Sequence, residues 1–357
     1  MSYTLSPKAQ NLKPYDPIKG AYRIRLDANE SFLLPTPEDR QAMLNEVAGV
    51  ALNRYPDPLA FELCSDFASL YGISSDYVTA GNGSDELISI IMSTFLQKGE
   101  KVLTLSPDFS MYRFYTSITE NPCVIFDKSQ DMTADIDLII NTAAEQNIRL
   151  IIFSNPCNPT SLGIKTGEMR RLIRSTDALV ILDEAYMDFW DQSLIMEAHE
   201  YDNLILLRTC SKAIGVAGLR IGFAVANSQL TSVLRSAKSP YNVNSVSQAM
   251  ARIVLKNKLY HTEFINTILD SRNYIMDGLR RLEKNGLITR IYDSCTNFAF
   301  IKLNDAGEVF KNLAKNGIIV RNFGNDFLRI TAGTQGENSE LLRVLENHLK
   351  KKGGKTK

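Results

Sequence analysis

The sequence predicts an α/β protein in two parts, a larger domain built on a mainly parallel sheet and a smaller α+β domain. Apolar runs rich in β-branched residues indicate strands at 101–105, 150–154, 179–182, 204–207 and 221–226. Stretches of helical character lie between them, at 85–96, 137–146 and 165–175. Strands that alternate with helices are typical of parallel sheets covered on both faces. The length of 357 residues also exceeds one small domain and suits two lobes.

The two ends of the chain differ in style from this central region. Residues from about 240 to 285 indicate a long helical stretch, which ends at the Asn-Gly pair 285–286. Short predicted strands mixed with helices then follow, at 297–302, 318–320 and 327–331. The first thirty residues are Pro-rich and extended, more an arm than a domain. The predicted parts are an arm that includes part of the small domain, the large domain, a connecting helix and the C-terminal small domain, with bounds 1–30, 31–245, 246–285 and 286–357.

Composition and charge exclude several classes of protein. Lys and Arg together number 40, as do Asp and Glu, so a net charge of zero gives no long-range attraction to nucleic acid or anionic membranes. No stretch approaches about 18 consecutive apolar residues, and the N-terminus lacks the apolar run of a secretory signal. The five cysteines are widely spaced and only three histidines occur, so neither disulfides nor a metal site is expected. We expect a cytoplasmic protein that acts on small molecules.

The strongest local signal is a lysine that follows a predicted strand. Residues 209–213 are Thr-Cys-Ser-Lys-Ala. An amine held at a strand end can form a Schiff base with an aldehyde, which makes Lys212 a candidate nucleophile. Arg220 offers a cationic fork suited to a phosphate, and the hydroxyls of Thr209 and Ser211 suit the same oxygens. Taken alone, a surface lysine beside a Gly-rich turn explains these residues equally well.

A carboxylate follows the strand predicted at 179–182. Residues 183–186 are Asp-Glu-Ala-Tyr, and open α/β sheets bind ligands at the carboxyl ends of their strands. The carboxylate of Asp183 can keep the ring nitrogen of a cofactor protonated, so that the ring acts as an electron sink. The phenol of Tyr186 can donate to an oxygen on the same ring. For an isolated aspartate, capping of the next helix is the simpler interpretation.

Two loops complete the pattern at the strand ends. Residues 155–160 are Asn-Pro-Cys-Asn-Pro-Thr, and their two prolines fix the geometry of a loop from which Asn158 can bond a ring oxygen. Residues 81–86 are Gly-Asn-Gly-Ser-Asp-Glu, which predicts an anion site at a helix N-terminus. This second segment is neither a P-loop nor a dinucleotide fingerprint, because Glu86 stands where a third glycine belongs.

Together the four segments predict one site rather than four unrelated structural features. They supply a lysine amine, a carboxylate for a ring nitrogen, two donors to a ring oxygen, and a group of phosphate ligands. Phe109 follows another strand end and can stack on the ring. The expected phosphate ligands are Ser84, Asp85, Thr209, Ser211 and Arg220. No requirement of core packing predicts all of these at successive strand ends.

On these residues the sequence resembles the fold-type I pyridoxal-phosphate (PLP) enzymes of the aspartate aminotransferase superfamily, and within them the histidinol-phosphate aminotransferase family. Further matching segments lie at 11–15, 26–30, 54–58, 240–244, 296–298, 320–321 and 328–331. The resemblance covers nearly the whole chain. It implies a seven-stranded sheet in a PLP-binding domain, and a ping-pong amino transfer from histidinol phosphate to 2-oxoglutarate in histidine biosynthesis.

The resemblance also implies roles for individual residues. Lys212 would act as general base and acid on the substrate, with Asp183 and Tyr186 as the other catalytic residues. Arg329 would hold a substrate carboxylate or another polar end, and Arg321 would hold a substrate phosphate. Two further residues, Tyr15 and Asn29, would line the same pocket. Tyr55 would reach the cofactor phosphate of a neighbouring subunit, so a homodimer is expected.

Two departures from the family pattern lie near the predicted cleft. Ser31 and Phe32 stand where the family usually has Asn or Pro after Asn-Glu, and Cys157 and Ser161 stand where it usually has Asn and Gly. Transamination of aromatic amino acids and decarboxylation of threonine phosphate are therefore alternatives on the same framework. A non-catalytic regulator with this fold is the alternative from another class. It would need a DNA-binding extension, and thirty N-terminal residues are too few for a winged helix.

Overall fold

The computed structural model describes residues 3–12 and 18–353, so Tyr15 lies outside the described residues. Its helices are α1 (Pro7–Asn11), α2 (Pro37–Ala48), α3 (Phe61–Tyr71), α4 (Ser84–Phe95), α5 (Met111–Ile118), α6 (Ile136–Glu145), α7 (Thr166–Arg174), α8 (Ser228–Ala237), α9 (Ser245–Lys256), α10 (Lys258–Lys284), α11 (Ala306–Lys315) and α12 (Gln335–Gly353). Its strands are β1 (Ile24–Leu26), β2 (Val78–Gly81), β3 (Lys101–Ser106), β4 (Cys123–Asp127), β5 (Ile148–Ser154), β6 (Leu179–Asp183), β7 (Leu204–Thr209), β8 (Gly222–Ala226), β9 (Arg290–Ile291), β10 (Phe298–Lys302), β11 (Ile318–Phe323) and β12 (Phe327–Thr331).

The larger sheet has seven strands in the order β2-β8-β7-β6-β5-β3-β4. The ladders that join β4, β3, β5, β6 and β7 are parallel, and β8 runs antiparallel to both of its neighbours. Apolar clusters cover both faces of the sheet, which explains why its central strands are continuous apolar runs. The parallel strands therefore end at one edge, and the loops that follow them meet there.

The smaller sheet has five strands in the order β1-β11-β12-β10-β9. Its first strand comes from the N-terminal part of the chain and pairs in parallel with β11, whereas the other ladders are antiparallel. A separate apolar core packs this sheet against α10, α11 and α12. Residues just after β1 are thereby held next to the smaller sheet, close to the strand ends of the larger one.

The predicted α/β class is confirmed, and its mainly parallel sheet has seven strands. All five strands predicted in the larger sheet are present within two residues of the expected bounds. The helical stretch predicted from about 240 to 285 is present from Ser245 to Lys284, but it is not one helix, because Asn257 divides it into α9 and α10. The Asn257 side chain accepts the backbone N–H of Tyr260 at 3.1 Å and caps α10. The N-terminal arm also contains the short helix α1. Across the described residues, no helix is long and apolar enough to cross a membrane.

Candidate active site

A cavity of about 660 Å³ lies between the carboxyl ends of the parallel strands and the smaller sheet. Each loop that follows β2, β3, β5, β6 and β7 contributes side chains to it. Most of the site residues predicted from the sequence line this cavity: Asn29, Ser84, Asp85, Phe109, Asn158, Asp183, Tyr186, Thr209, Ser211, Lys212, Arg220, Arg321 and Arg329. The fold therefore assembles in one place the groups that the sequence distributes over 300 positions.

Lys212 extends from the loop after β7 into this cavity. Its Nζ donates to the carbonyl oxygen of Ala28 at 2.9 Å and lies 5.8 Å from the centre of the Tyr186 ring. Burial, together with the positive charge of Arg329, lowers the pKa of the Lys212 amine to about 8. A substantial fraction of the amine is consequently neutral near pH 7 to 8, which is the form that attacks a carbonyl or takes a proton.

Asp183 is the last residue of β6 and is buried at the bottom of the cavity. Its carboxylate accepts the Tyr112 hydroxyl at 2.8 Å and the backbone N–H of Ala185 at 3.1 Å. Burial raises the pKa of Asp183 to about 7 despite these two donors. A positively charged ring N–H at this position would relieve the cost of the buried charge. Sequence reasoning missed Tyr112, because a tyrosine within α5 carries no signal that its hydroxyl reaches β6.

An anion-sized cradle lies at the N-terminus of α4, beside Ser84 and Asp85. Gly83 precedes this helix with φ +83°, and no side chain caps the helix. A Cβ on Gly83 would lie 2.6 Å from the Arg220 guanidinium, and a Cβ on Gly222 would lie 2.4 Å from the backbone nitrogen of Ser84. Only glycine at these two positions leaves the cradle open, so uncapped helix N–H groups and a guanidinium converge on one space.

The hydroxyls of Thr209 and Ser211 lie on the cavity wall near the same cradle. They are 3.0 Å apart, and the backbone N–H of Ser211 donates to the Thr209 hydroxyl at 3.1 Å. Arg220 lies across the cradle with a left-handed backbone conformation, φ +55°, and its guanidinium is 3.4 Å from the Asp85 carboxylate. The cradle therefore contains one positive and one negative side chain, and the Asp85 carboxylate helps to position the Arg220 guanidinium.

Tyr186 and Asn158 face the middle of the cavity. The Tyr186 hydroxyl accepts the side-chain N–H of Asn29 at 2.8 Å, and burial raises the pKa of this phenol to about 12. The phenol stays protonated and keeps its own hydrogen available as a donor. Asn158 accepts a hydrogen bond from the Arg329 guanidinium through its Oδ1, which turns its amide N–H₂ away from that arginine. Asn29 is held in turn by the Thr331 hydroxyl at 2.9 Å.

Arg321 and Arg329 are cross-strand partners on β11 and β12. Side chains at directly opposed positions of two strands lie on the same face of a sheet, so both guanidinium groups face the cavity. Arg329 is almost fully buried and donates to the carbonyl oxygen of Asp27 at 2.5 Å. Two adjacent cations on one wall form a site suited to an anionic ligand.

A buried ion-pair network lies at the ends of β6 and β7, and its residues do not line the cavity. Arg208 lies 3.0 Å from the Glu184 carboxylate and 2.7 Å from that of Asp188. The same guanidinium lies over the Tyr71 ring, 4.9 Å from its centre. Because Glu184 follows Asp183 and Arg208 precedes Thr209, this network fixes the two strand ends from which site residues extend.

Tyr55 is the predicted site residue that the described chain does not bring into the cavity. It is 81% exposed and stacks on Tyr241 with ring centres 4.6 Å apart. Its placement agrees with a residue that serves a neighbouring subunit, and that role stays a prediction. Tyr15 falls in the segment outside the described residues.

The family departures have distinct local structures. Ser161 adopts φ +62°, where glycine is favoured, and its hydroxyl is 2.8 Å from the carbonyl oxygen of Asp293. Cys157 is buried, and its sulfur lies 2.9 Å from the Lys128 amine. The Ser31 hydroxyl accepts the backbone N–H of Leu33 at 3.1 Å and does not line the cavity. All four predicted segments contribute residues to the cavity.

Comparisons with known proteins agree with this geometry. The family model "Aminotransferase class I and II" matches residues 23–345. The chain is 38% identical over 345 residues to a histidinol-phosphate aminotransferase of Clostridium kluyveri, covering 96% of this chain and 97% of that protein. It is 39% identical over 341 residues to that of Clostridium novyi, covering 94% and 95%.

A solved structure shows the same fold. The histidinol-phosphate aminotransferase of Sinorhizobium meliloti, in complex with pyridoxal-5'-phosphate, has a TM-score of 0.86 at 21% identity, covering 97% of this chain and 98% of that one. The family match extends over the strands and loops that build the cavity. The chain belongs to the class I and II aminotransferases, within the histidinol-phosphate aminotransferase family, and is a PLP-dependent enzyme.

Proposed function

We propose that this enzyme transfers the amino group of histidinol phosphate to 2-oxoglutarate by a ping-pong mechanism in histidine biosynthesis. The observation that supports this proposal most strongly is that one cavity contains a lysine amine, a buried carboxylate and two adjacent guanidinium groups contributed by the smaller sheet. Relatives named histidinol-phosphate aminotransferase, 35 to 39% identical over nearly the whole chain, support this choice of substrate.

The cavity residues fit PLP by the chemistry of each part. The cradle at the start of α4 suits its phosphate, with the backbone N–H of Asp85, the hydroxyls of Ser84, Thr209 and Ser211, and the Arg220 guanidinium as the donors. We assign Asp183 to the ring nitrogen, because a buried carboxylate with a raised pKa gains most from a cationic partner. Tyr186 and Asn158 are assigned to the ring oxygen, and Phe109 to the ring face. When bound, the cofactor supplies an electron sink for the pair of electrons left by the substrate Cα proton.

Lys212 carries the proton during the reaction. With the cofactor bound and the substrate amine in place, the Nζ of Lys212 would take the proton from the substrate Cα and later give one back, so that one amine would serve as general base and general acid. A pKa near 8 suits both steps at neutral pH, because neither the neutral nor the charged amine is strongly disfavoured. The Asp183 carboxylate would hold a proton on the ring nitrogen of the bound cofactor, and Tyr186 would keep its own phenolic proton because its pKa is about 12.

Arg321 and Arg329 are assigned to the polar ends of the two substrates. The phosphate of histidinol phosphate is a dianion, and a half-buried guanidinium such as Arg321 binds it in a bidentate fashion. The second substrate, 2-oxoglutarate, has a carboxylate at each end, which the same pair of arginines can hold. One anion site therefore serves both halves of the reaction. Asn29 lies next to Tyr186 on the substrate side of the cavity, and Tyr15 is expected there.

We further propose that the enzyme acts as a cytoplasmic homodimer. Tyr55 is exposed in the single chain and stacked on Tyr241, so it can extend to the cofactor phosphate of a neighbouring subunit. Leu52, Leu59 and Phe61 near it are also large, exposed and apolar. Exposed apolar side chains that cluster are typical of surfaces that a partner covers.

The substrate assignment is tested by comparing kcat/KM for histidinol phosphate, phenylalanine, tyrosine and threonine phosphate. We expect histidinol phosphate to be the preferred donor, with keto product formed and no carbon dioxide released. Arg321→Ala should lower kcat/KM for the phosphorylated donor roughly 100-fold, since a charge-assisted phosphate contact contributes on the order of 3 kcal/mol.

Two controls make this result specific. Arg343→Ala removes an exposed arginine that pairs with Glu340 on α12, far from the cavity, and should leave kcat/KM unchanged. Donors without a phosphate should be much less affected by Arg321→Ala. An equal loss for phosphorylated and unphosphorylated donors would contradict the phosphate role of Arg321. A preference for phenylalanine or tyrosine, or carbon dioxide release from threonine phosphate, would replace the proposed reaction by one of its alternatives.

A further inference from the structure

Asp108 is a buried carboxylate beside the cofactor site that the proposed chemistry leaves without a role. It follows β3 in the loop that leads to Phe109, and its side chain is 1% exposed. We propose that Asp108 is a positioning residue, which holds the loops that carry Phe109 and Asn158 in the register that the cofactor ring requires. This inference rests on the proposed function, because it assigns Phe109 and Asn158 to the cofactor.

The contacts of Asp108 join two loops that are 46 residues apart in sequence. Its Oδ1 accepts the backbone N–H of Phe109 at 2.7 Å and the hydroxyl of Ser154 at 2.5 Å. The backbone N–H of Ser154 lies 3.3 Å from its Oδ2. One carboxylate therefore fixes both the residue that would stack on the ring and the last residue of β5.

Ser154 connects Asp108 to the loop that carries Asn158. Its hydroxyl gives its hydrogen to Asp108 and accepts the backbone N–H of Asn158 at 3.0 Å. Asp108 thus fixes the direction of the Ser154 hydroxyl, and this hydroxyl in turn holds the main chain of Asn158. The Asn158 Oδ1 also accepts a hydrogen bond from Arg329, so the position of the Asn158 main chain decides the direction in which its amide N–H₂ points.

Lys128 provides the counter-charge from behind the two loops. Its amine is 4% exposed and lies 3.8 Å from the Asp108 carboxylate. It also donates to the carbonyl oxygen of Pro107 at 3.0 Å and to the Cys157 sulfur at 2.9 Å. Lys128 therefore contacts both loops, and Cys157, where the family usually has asparagine, is one of its partners. A buried ion pair with several further hydrogen bonds is suited to holding one geometry.

The test is the pH at which the absorption of the cofactor bound to Lys212 changes between its acidic and basic forms. A hydrogen-bond donor to the ring oxygen favours the basic form, which has lost its proton. Loss of that donor therefore raises the pH at which the acidic form changes to the basic form. Asn158→Ala, which removes the donor, serves as the reference. Asp108→Asn and Ser154→Ala should each shift the pH in the same direction by about 0.5 to 1 unit, the effect of one weakened hydrogen bond. Combining Asp108→Asn with Asn158→Ala should add no further shift beyond that of Asn158→Ala.

Asp39→Asn is the matched control. Asp39 is also buried and also accepts a side-chain hydroxyl, that of Thr36 at 2.9 Å, but it lies on α2 away from the cavity. It should change stability without moving the spectral pH. A shift for Asn158→Ala with none for Asp108→Asn and Ser154→Ala would overturn the inference. A wild-type enzyme with no absorption dependent on Lys212 would instead overturn the proposed function, and with it this inference.

Discussion

We expect the ionised, buried carboxyl group of Asp183 to destabilise the cofactor-free enzyme, and Asp183→Asn to remove that cost. Burial raises the pKa of Asp183 from 3.8 to about 7. An acid whose pKa is higher in the folded chain than in the unfolded chain destabilises the fold increasingly as the pH rises between those two values. At pH values above the pKa of the folded chain, the loss of unfolding free energy no longer changes with pH. The expected effect is therefore small near pH 4 and complete by about pH 8.

The size of the effect follows from the two pKa values. The difference between 3.8 and about 7 corresponds to about 4 kcal/mol of unfolding free energy at pH 8 and to roughly 2 kcal/mol at pH 5. Asparagine has the same shape, and its oxygen can accept the Ala185 N–H while its amide donates to the Tyr112 oxygen. The free energy of unfolding of the apoenzyme should thus rise by up to about 4 kcal/mol in Asp183→Asn at pH 8.

Urea unfolding of the apoenzymes at pH 5, 6.5 and 8 measures this difference directly. The stability gain of Asp183→Asn over the wild type should increase by about 2 to 3 kcal/mol from pH 5 to pH 8. The same substitution should lower kcat of the loaded enzyme by roughly 100-fold or more, because a neutral amide cannot keep the ring nitrogen protonated. Asp135→Asn, at the exposed N-cap of α6, is the control and should show no comparable gain.

Two results would refute this reasoning. One is a stability difference between Asp183→Asn and the wild type that does not vary with pH. The other is a less stable variant at pH 8, which would mean that the hydrogen bonds of the carboxylate outweigh its desolvation. A loss of activity alone would not distinguish between these accounts, so the pH dependence of stability is the deciding observation.

Three further predictions concern the frame of the site. Arg208→Gln leaves two buried carboxylates without their cation and should lower the free energy of unfolding by about 3 to 5 kcal/mol, measured by urea unfolding; a loss below about 1 kcal/mol would show that the network contributes little. Gly222→Ala places a methyl group 2.4 Å from the Ser84 nitrogen and should weaken PLP binding to the apoenzyme at least about tenfold. A fluorescence titration measures this affinity, and an unchanged value would contradict the cradle geometry. Ser161→Ala removes the hydroxyl contact to the Asp293 carbonyl and should cost about 1 kcal/mol of stability, with an unchanged unfolding midpoint as the contrary result.

The fold class was predictable because the central strands are buried on both faces. Burial makes each of them a continuous apolar run, which stands out between amphipathic helices. The strands that went unpredicted are short or lie at sheet edges. Among them, β4 is half-exposed along most of its length and β1 has three residues. Their pairing depends on the neighbouring strand more than on their own composition.

The cofactor residues were predictable for a related reason. Lys212, Asp183 and Asn158 each follow a recognisable strand, and parallel strands end at one edge of the sheet. The roles of Asp108 and Tyr112 could not be predicted, because they arise from tertiary contacts with β5 and β6, 46 and 71 residues away. A residue that acts through another side chain has no local sequence signature. The break at Asn257 was missed because a capping asparagine within a helical pattern resembles an ordinary polar position.

Amino transfer at Lys212 is tested most directly by a single half-reaction. PLP-loaded enzyme is mixed with histidinol phosphate in the absence of 2-oxoglutarate, and the cofactor absorption is followed. The site described here predicts a stoichiometric loss of the Lys212-bound absorption, its return on addition of 2-oxoglutarate, and neither change in Lys212→Ala. A wild-type spectrum that histidinol phosphate leaves unchanged, or one that changes equally in Lys212→Ala, would contradict it.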